Sequence, residues 1–293
     1  GFNNLWTMGQ DDGSGLQSGV LGHCVKIMRL FDQRWLAHIY GPAGTIGEEH
    51  SFLGSIPLPG YPHHVTWPEF GKWCAQLSKH FEAVPEQPAW ANLLLIFPVE
   101  TMYSLANEQA DVLAKEIFRL LLYLVDHHYH IDVLSSTFAG KGKWRQDRFC
   151  VGASQYEMVL LPFADVIASE VWASMQQRPD RCCFMYSKPV CTAAGQAIPV
   201  AQSYIAQVED LYALLDGRSG LRPVQAPDHT WVALIPGAEG DWISLAPARY
   251  GMKFSGQVQY GNKSFMVPTA DDFIRIFFPH HGDPRLAEGG ASV

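Results

Sequence analysis

No stretch of the 293-residue chain approaches the roughly 20 consecutive apolar residues that cross a bilayer. No membrane anchor is therefore expected. Lysine and arginine are few and scattered, and the formal charge is −8. That disfavours nucleic acid as a partner, because phosphate binding needs clustered basic groups. A GxxxxGK[ST] phosphate loop is missing, and no GxGxxG follows a convincing strand, so nucleotide binding has no support. The six cysteines, Cys24, Cys74, Cys150, Cys182, Cys183 and Cys191, form neither a CxxC motif nor a zinc-finger spacing. They are expected as reduced, buried thiols, which favours a cytoplasmic setting. The chain starts at Gly1 without Met or signal-peptide regions, which reads as a processed product or a cut segment.

What is present is a globular composition, 47% hydrophobic and 17% charged, long enough for two or three cored units. Nine Trp, eleven Tyr and sixteen Phe are enough both to fill cores and to stack on sugar rings. Residues 1–85 are rich in Gly, Pro, Trp and His, with a helix expected over Ser18–Asp32 and a strand over Arg34–Tyr40. Thr66 as N-cap and Pro68 in the first turn open another helix that runs to Phe81. Val84-Pro-Glu-Gln-Pro88 stiffens the chain as a linker.

Beyond the linker the period changes. Asn92–Phe97 is a continuous apolar run that suits a strand buried on both faces of a parallel sheet. Apolar positions Val112, Leu113, Ile117, Leu120, Leu121 and Leu124 then recur at helical spacing within Leu105–His128. Strands follow at His130–Leu134, Tyr156–Leu161 and Arg181–Tyr186, with helices at Ala164–Gln176 and Ser203–Leu215. A basic loop separates the first two of those strands. Alternating strand and helix implies a parallel sheet. From Thr230 onward, short apolar runs broken by Gly, Pro, Asn and Asp read as an antiparallel β-domain, with Ala287–Val293 as a frayed tail.

The order Leu95-Ile-Phe-Pro-Val-Glu-Thr101, long helix, Ile131-Asp-Val-Leu134 and Val151–Pro162 resembles the glutamine-amidotransferase-like domain of family 42 β-galactosidases, known there as a trimerisation domain. The preceding segment is similar to the last strands and helices of a (β/α)8 barrel, as in those enzymes and in family 106 α-rhamnosidase-like enzymes. The resemblance implies an α/β chain: a flavodoxin-like parallel-sheet domain (88–220), preceded by a (β/α)8-barrel-like C-terminal segment (1–85) and followed by a small antiparallel β-domain (221–293). It implies the C-terminal part of a glycoside hydrolase acting on an oligo- or polysaccharide. The implied partners are that carbohydrate and either further copies of the chain, as a homo-oligomer, or the rest of the enzyme. No cofactor or metal is implied.

In such barrels catalytic groups sit in loops at the C-terminal ends of strands. Thr45-Ile-Gly-Glu-Glu-His50 is similar to the family's acid-bearing loop, which points to Glu48 as catalytic carboxylate, with Glu49 beside it. The alternative is a pair of solvated loop carboxylates. Glycoside hydrolysis needs a second carboxyl group roughly 5 to 9.5 Å away. Asp11 and Asp12 could supply that acid or a sugar-hydroxyl contact, or simply form a turn before a helix. His50, His63, His64 and Trp67, with Tyr61, could form a sugar-binding rim or pack as loop. His127, His128 and His130 suit a helix's negative end. Cys191 and Ser154 lack the second glycine of a nucleophile elbow, so the middle domain is expected to be non-catalytic. A non-catalytic oligomerisation or carbohydrate-binding module is the competing reading.

Overall fold

The computed structural model describes residues 4–6, 26–27, 30, 34–36, 72, 75, 89–199, 204–218 and 220–287. The chain divides into two compact units: Trp90–Gln225, and a second made of Gly1–Ala89 together with Ala226–Val293.

In the second unit, Asn4–Trp6 (β1) and Arg34–Leu36 (β2) pair in parallel, Leu5 opposite Trp35. Lys26, Ile27 and Leu30, lying between them in sequence, are helical, as are Lys72 and Ala75 further along. A parallel pair with a helix between its strands is a βαβ unit.

The unit Trp90–Gln225 is a three-layered α/β structure. Leu93–Phe97 (β3) leads through the short helix Val99–Tyr103 (α1) and the long helix Asn107–Asp126 (α2) to Ile131–Ser135 (β4). Ser136–Ala139 (α3) follows, then three short antiparallel strands, Lys143–Arg145 (β5), Arg148–Val151 (β6) and Ser154–Tyr156 (β7). Met158–Pro162 (β8) returns to the main sheet, and Val166–Ile167 (β9) precedes Ser169–Met175 (α4). Cys182–Met185 (β10), Cys191–Thr192 (β11), Val208–Asp216 (α5) and Val224–Gln225 (β12) complete it. The main sheet has the order β10-β8-β3-β4, all parallel.

Alternation along the strands sorts the core onto two faces. Leu93, Leu95, Met158, Leu160, Cys183 and Met185 face Ile117, Leu120 and Leu124 of α2 and Leu211 and Leu215 of α5. Leu94, Ile96, Val159, Leu161 and Phe184 face Val171 and Met175 of α4, Phe149 of β6 and Tyr156 of β7. Every residue of β8 is buried. Each fully buried aliphatic side chain contributes about 1.5–3 kcal/mol, so the central strands anchor the unit.

Several expected boundaries move. The helix expected over Leu105–His128 is present as α2, two residues shorter at each end, and the short α1, opened by Pro98 directly after β3, is an addition to what the sequence suggested. The helix expected from Ala164 begins at Ser169, since Val166 and Ile167 pair in parallel with Cys191 and Thr192. The helix expected from Ser203 begins at Val208; Ile205 instead bridges to Met185. The basic loop is a folded flap of α3 and β5–β7, whose apolar face is Trp144, Phe149 and Tyr156.

The β-domain of the other unit has Thr230–Ile235 (β13), Gly240–Pro247 (β14), Phe254–Tyr260 (β15), Lys263–Ala270 (β16), Ile274–Pro279 (β17) and Arg285–Leu286 (β18). β13, β14, β17 and β18 form one antiparallel sheet, and β15 and β16 a hairpin. Leu30 of the N-terminal segment is buried in one cluster with Ala233, Ala246 and Phe273.

Candidate functional site

In an open parallel sheet, ligands bind beyond the carboxyl ends of the strands, where consecutive connections leave in opposite directions. Here β3 connects to β4 on one side, and the chain then crosses to β8 on the other, so that point lies between β3 and β8. It is bridged by protein. The buried Thr101 hydroxyl donates to the Val166 carbonyl at 3.1 Å and accepts from the Val166 amide at 3.0 Å. One side chain thus satisfies both backbone groups of Val166 across the crevice.

The neighbouring strand ends are closed as well. Ser136, buried at the start of α3, donates its hydroxyl to Glu100 of α1 at 2.5 Å, tying the ends of β3 and β4 together. Ser187 donates to the Asp165 carboxylate at 2.7 Å. Phe163 and Tyr186, the residues directly after β8 and β10, take left-handed conformations with φ of 49° and 66°. Their rings stack with centroids 4.7 Å apart.

A nucleophile would need an exposed Ser or Cys beside a base. Ser136 is the only Ser, Thr or Cys directly following one of the four parallel strands, and it is buried. Cys191 lies within β11, not in a strand-to-helix turn, and Ser154 begins a hairpin strand. Burial pushes the thiols of Cys182 and Cys183 up to about 12, which keeps them protonated at neutral pH. The four described cysteines are free; Cys183 is buried and the others are half-buried. Among the described residues no group of His, Cys, Asp and Glu is arranged to hold a metal ion.

Toward the other end of the sheet, two residues that carried the sequence resemblance meet. Tyr156 donates to the Asp132 carboxylate at 2.8 Å. Burial raises the Asp132 carboxyl above its ordinary range, and the Tyr156 bond works against that rise. Of the three histidines expected at the end of α2, His127 is the C-cap and its Nδ1 lies 2.8 Å from the Tyr123 carbonyl. His130 departs from expectation. It is 5% exposed, packed edge-on against Trp90, and burial, with repulsion from His128, holds it at about 4. A neutral imidazole brings no positive charge to a helix's negative end.

Glu48, Glu49, His50, His63, His64, Trp67, Asp11 and Asp12 lie outside the described residues, as does Tyr61. In the same stretch of sequence, what is described is the β1–β2 pair and the attachment of its helix. Lys26 donates to both carboxylate oxygens of Asp272, at 2.6 Å to Oδ1, beside the Leu30 cluster. This join between N-terminal segment and β-domain left no signal in the sequence, because the partners are 246 residues apart.

No protein-family model matches the chain, and no curated protein matches it by sequence. Solved structures do match. A β-galactosidase from Bacillus circulans sp. alkalophilus aligns over 89% of this chain with a TM-score of 0.59 at 10% identity. A catalytic mutant of a family 42 β-galactosidase from G. stearothermophilus aligns over 92% with a TM-score of 0.58, also at 10% identity. A family 42 exo-carrageenase from Bacteroides ovatus aligns over 92% with a TM-score of 0.54 at 7% identity. The chain spans 52%, 51% and 39% of these three proteins. At such identities the likeness concerns the fold, and the chain has the fold of about half of a family 42 glycosidase.

Proposed function

We propose that this chain is the C-terminal portion of a glycoside hydrolase, contributing part of the active site from residues 1–85 and scaffolding it with the domains 88–220 and 221–293. The observation that carries the reading is the fold likeness to family 42 glycosidases over about nine-tenths of the chain, at half their length. The βαβ arrangement of β1, the helical residues Lys26, Ile27 and Leu30, and β2 suits the end of a (β/α)8 barrel. In that setting Glu48, with Glu49 as the alternative, is the catalytic carboxylate at a strand's C-terminal end. The partner carboxylate comes from the rest of the enzyme or from Asp11 or Asp12, and His50, His63, His64 and Trp67 contact the sugar. The substrate is an oligo- or polysaccharide, cleaved at a glycosidic bond.

The central unit serves as a flavodoxin-like, amidotransferase-like scaffold without chemistry of its own. Its strand order, first strand beside second, then third and fourth on the other side, supports that reading. The crevice bridged by Thr101 supports its being non-catalytic. A scaffold that mediates homo-oligomerisation is the second reading, favoured by the edge position of β4 with Val133 43% exposed. The test is hydrolysis of aryl glycosides by the complete enzyme and by its Glu48→Gln variant. The first reading requires turnover that the variant loses; the second requires none from either.

A further inference from the structure

The β-domain contains a groove of about 510 Å³ that the proposed active site does not use. One wall is the segment Pro227-Asp228-His229 leading into β13, and the other is the start of β15 with Thr269 of β16.

Both walls are fixed by the backbone. The Thr230 hydroxyl donates to the Pro227 carbonyl at 2.5 Å, and the His229 carbonyl accepts from Ala248 N–H at 2.8 Å. His229 itself is left-handed, with φ of 62°, so Asp228 and His229 are presented at the surface by a pinned turn. Opposite, the hairpin carries a bulge: Phe254 pairs with Ala270 but Gly256 with Val267, which leaves an extra residue on β16 beside Thr269. Bulges re-aim side chains and are over-represented next to functional sites. At the floor, Gly256 has φ of 139°, and a Cβ there would stand 3.3 Å from Pro227 Cγ. A side chain at this glycine would crowd the groove where its walls meet.

The polar side chains are Asp228, His229, Lys253, Ser255 and Thr269. Phe254 is the one Phe, Tyr or Trp of the lining, and it is 4% exposed. A neutral sugar bound by ring stacking would lack its platform here. What the groove offers instead is an ammonium and an imidazole for an anionic group, and a carboxylate with two hydroxyls for neighbouring sugar hydroxyls.

The geometry points to a second, non-catalytic saccharide site in this groove, which takes a sugar residue bearing a carboxylate or sulfate group. Lys253 and His229 hold the anionic group, while Asp228, Ser255 and Thr269 hold the hydroxyls. The assignment of the ligand as saccharide rests on the glycosidase reading above. Binding is measured without turnover, so the two can fail separately.

The test is calorimetric titration of the full chain with trigalacturonate, galactose 6-sulfate, neutral galactotriose and inorganic sulfate. At least one acidic saccharide should bind about tenfold or more tightly than galactotriose and inorganic sulfate, with affinity falling as salt rises. Lys253→Met should weaken it about tenfold, as loss of a charge-assisted contact does. His229→Asn, which tolerates the left-handed backbone, should weaken it less, and both variants should keep the circular dichroism of the parent. Binding of neither acidic saccharide, equal binding of galactotriose or of inorganic sulfate, or unchanged affinity in folded Lys253→Met would overturn the proposal.

Discussion

The Tyr156 hydroxyl donates to the Asp132 carboxylate at 2.8 Å, joining the last residue of the flap to the second residue of the edge strand β4. Both groups are largely withdrawn from water, and that burial raises the pKa of both, disfavouring their charged forms.

Tyr156→Phe leaves the Asp132 carboxylate without its donor and should cost about 1–3 kcal/mol at neutral pH by urea unfolding. The sign of its pH dependence follows from Asp132. The carboxyl's folded pKa lies above its ordinary 3.8, so the folded chain holds the proton more tightly, and stability falls as pH rises through that interval. The variant removes a bond that lowered this pKa, so its deficit should shrink on acidification.

His130 predicts the opposite slope. Its folded value of about 4 lies below the ordinary 6.5, so stability is complete above about 6.5 and is lost as pH falls toward 4. The full effect is on the order of 3 kcal/mol. His130→Phe should abolish this part of the acid-side decline, read as the difference in urea midpoints between variant and parent. Asp132 stays in both proteins and cancels from that difference.

Thr101→Val removes the hydroxyl that serves both the amide and the carbonyl of Val166. A loss of about 1–3 kcal/mol is expected, because both backbone groups lose their buried partner. Thr101→Ser should recover most of it. Equal losses in the two variants would show that the methyl group, not the hydroxyl, holds the crevice.

Much of this unit was legible in the sequence, and the reason is burial on both faces. Continuous apolar runs at Leu93–Phe97 and Met158–Pro162 can be read only as interior segments, and α2 shows its buried face at helical spacing. The flap was not legible, because each of its strands contributes one inward aromatic among Lys, Arg and Gln, a pattern a surface loop also shows. His130 was misread because a histidine near a helix end in sequence can still point into a core. Thr101 and Asp132 gave no chemical signal, since their partners are 65 and 24 residues away. The carboxylate loop at Glu48 was reached only through resemblance.

Gly240 tests the packing of the β-domain. A Cβ at this position would lie 2.4 Å from the Phe278 carbonyl oxygen on the paired strand β17. Backbone in a sheet cannot give way as a side-chain tip can, so Gly240→Ala should cost about 1–3 kcal/mol or more. Thermal unfolding of the variant should begin at a lower temperature than that of the parent.

The most direct test of the glycosidase reading is kcat/KM of the complete enzyme on an aryl glycoside it cleaves, compared among parent, Glu48→Gln and Glu49→Gln, with urea midpoints measured alongside. Loss of a catalytic carboxylate predicts a fall of at least about a thousandfold for Glu48→Gln, with an unchanged midpoint and a much smaller effect for Glu49→Gln. Glu48→Gln turning over at the parent's rate would contradict the account.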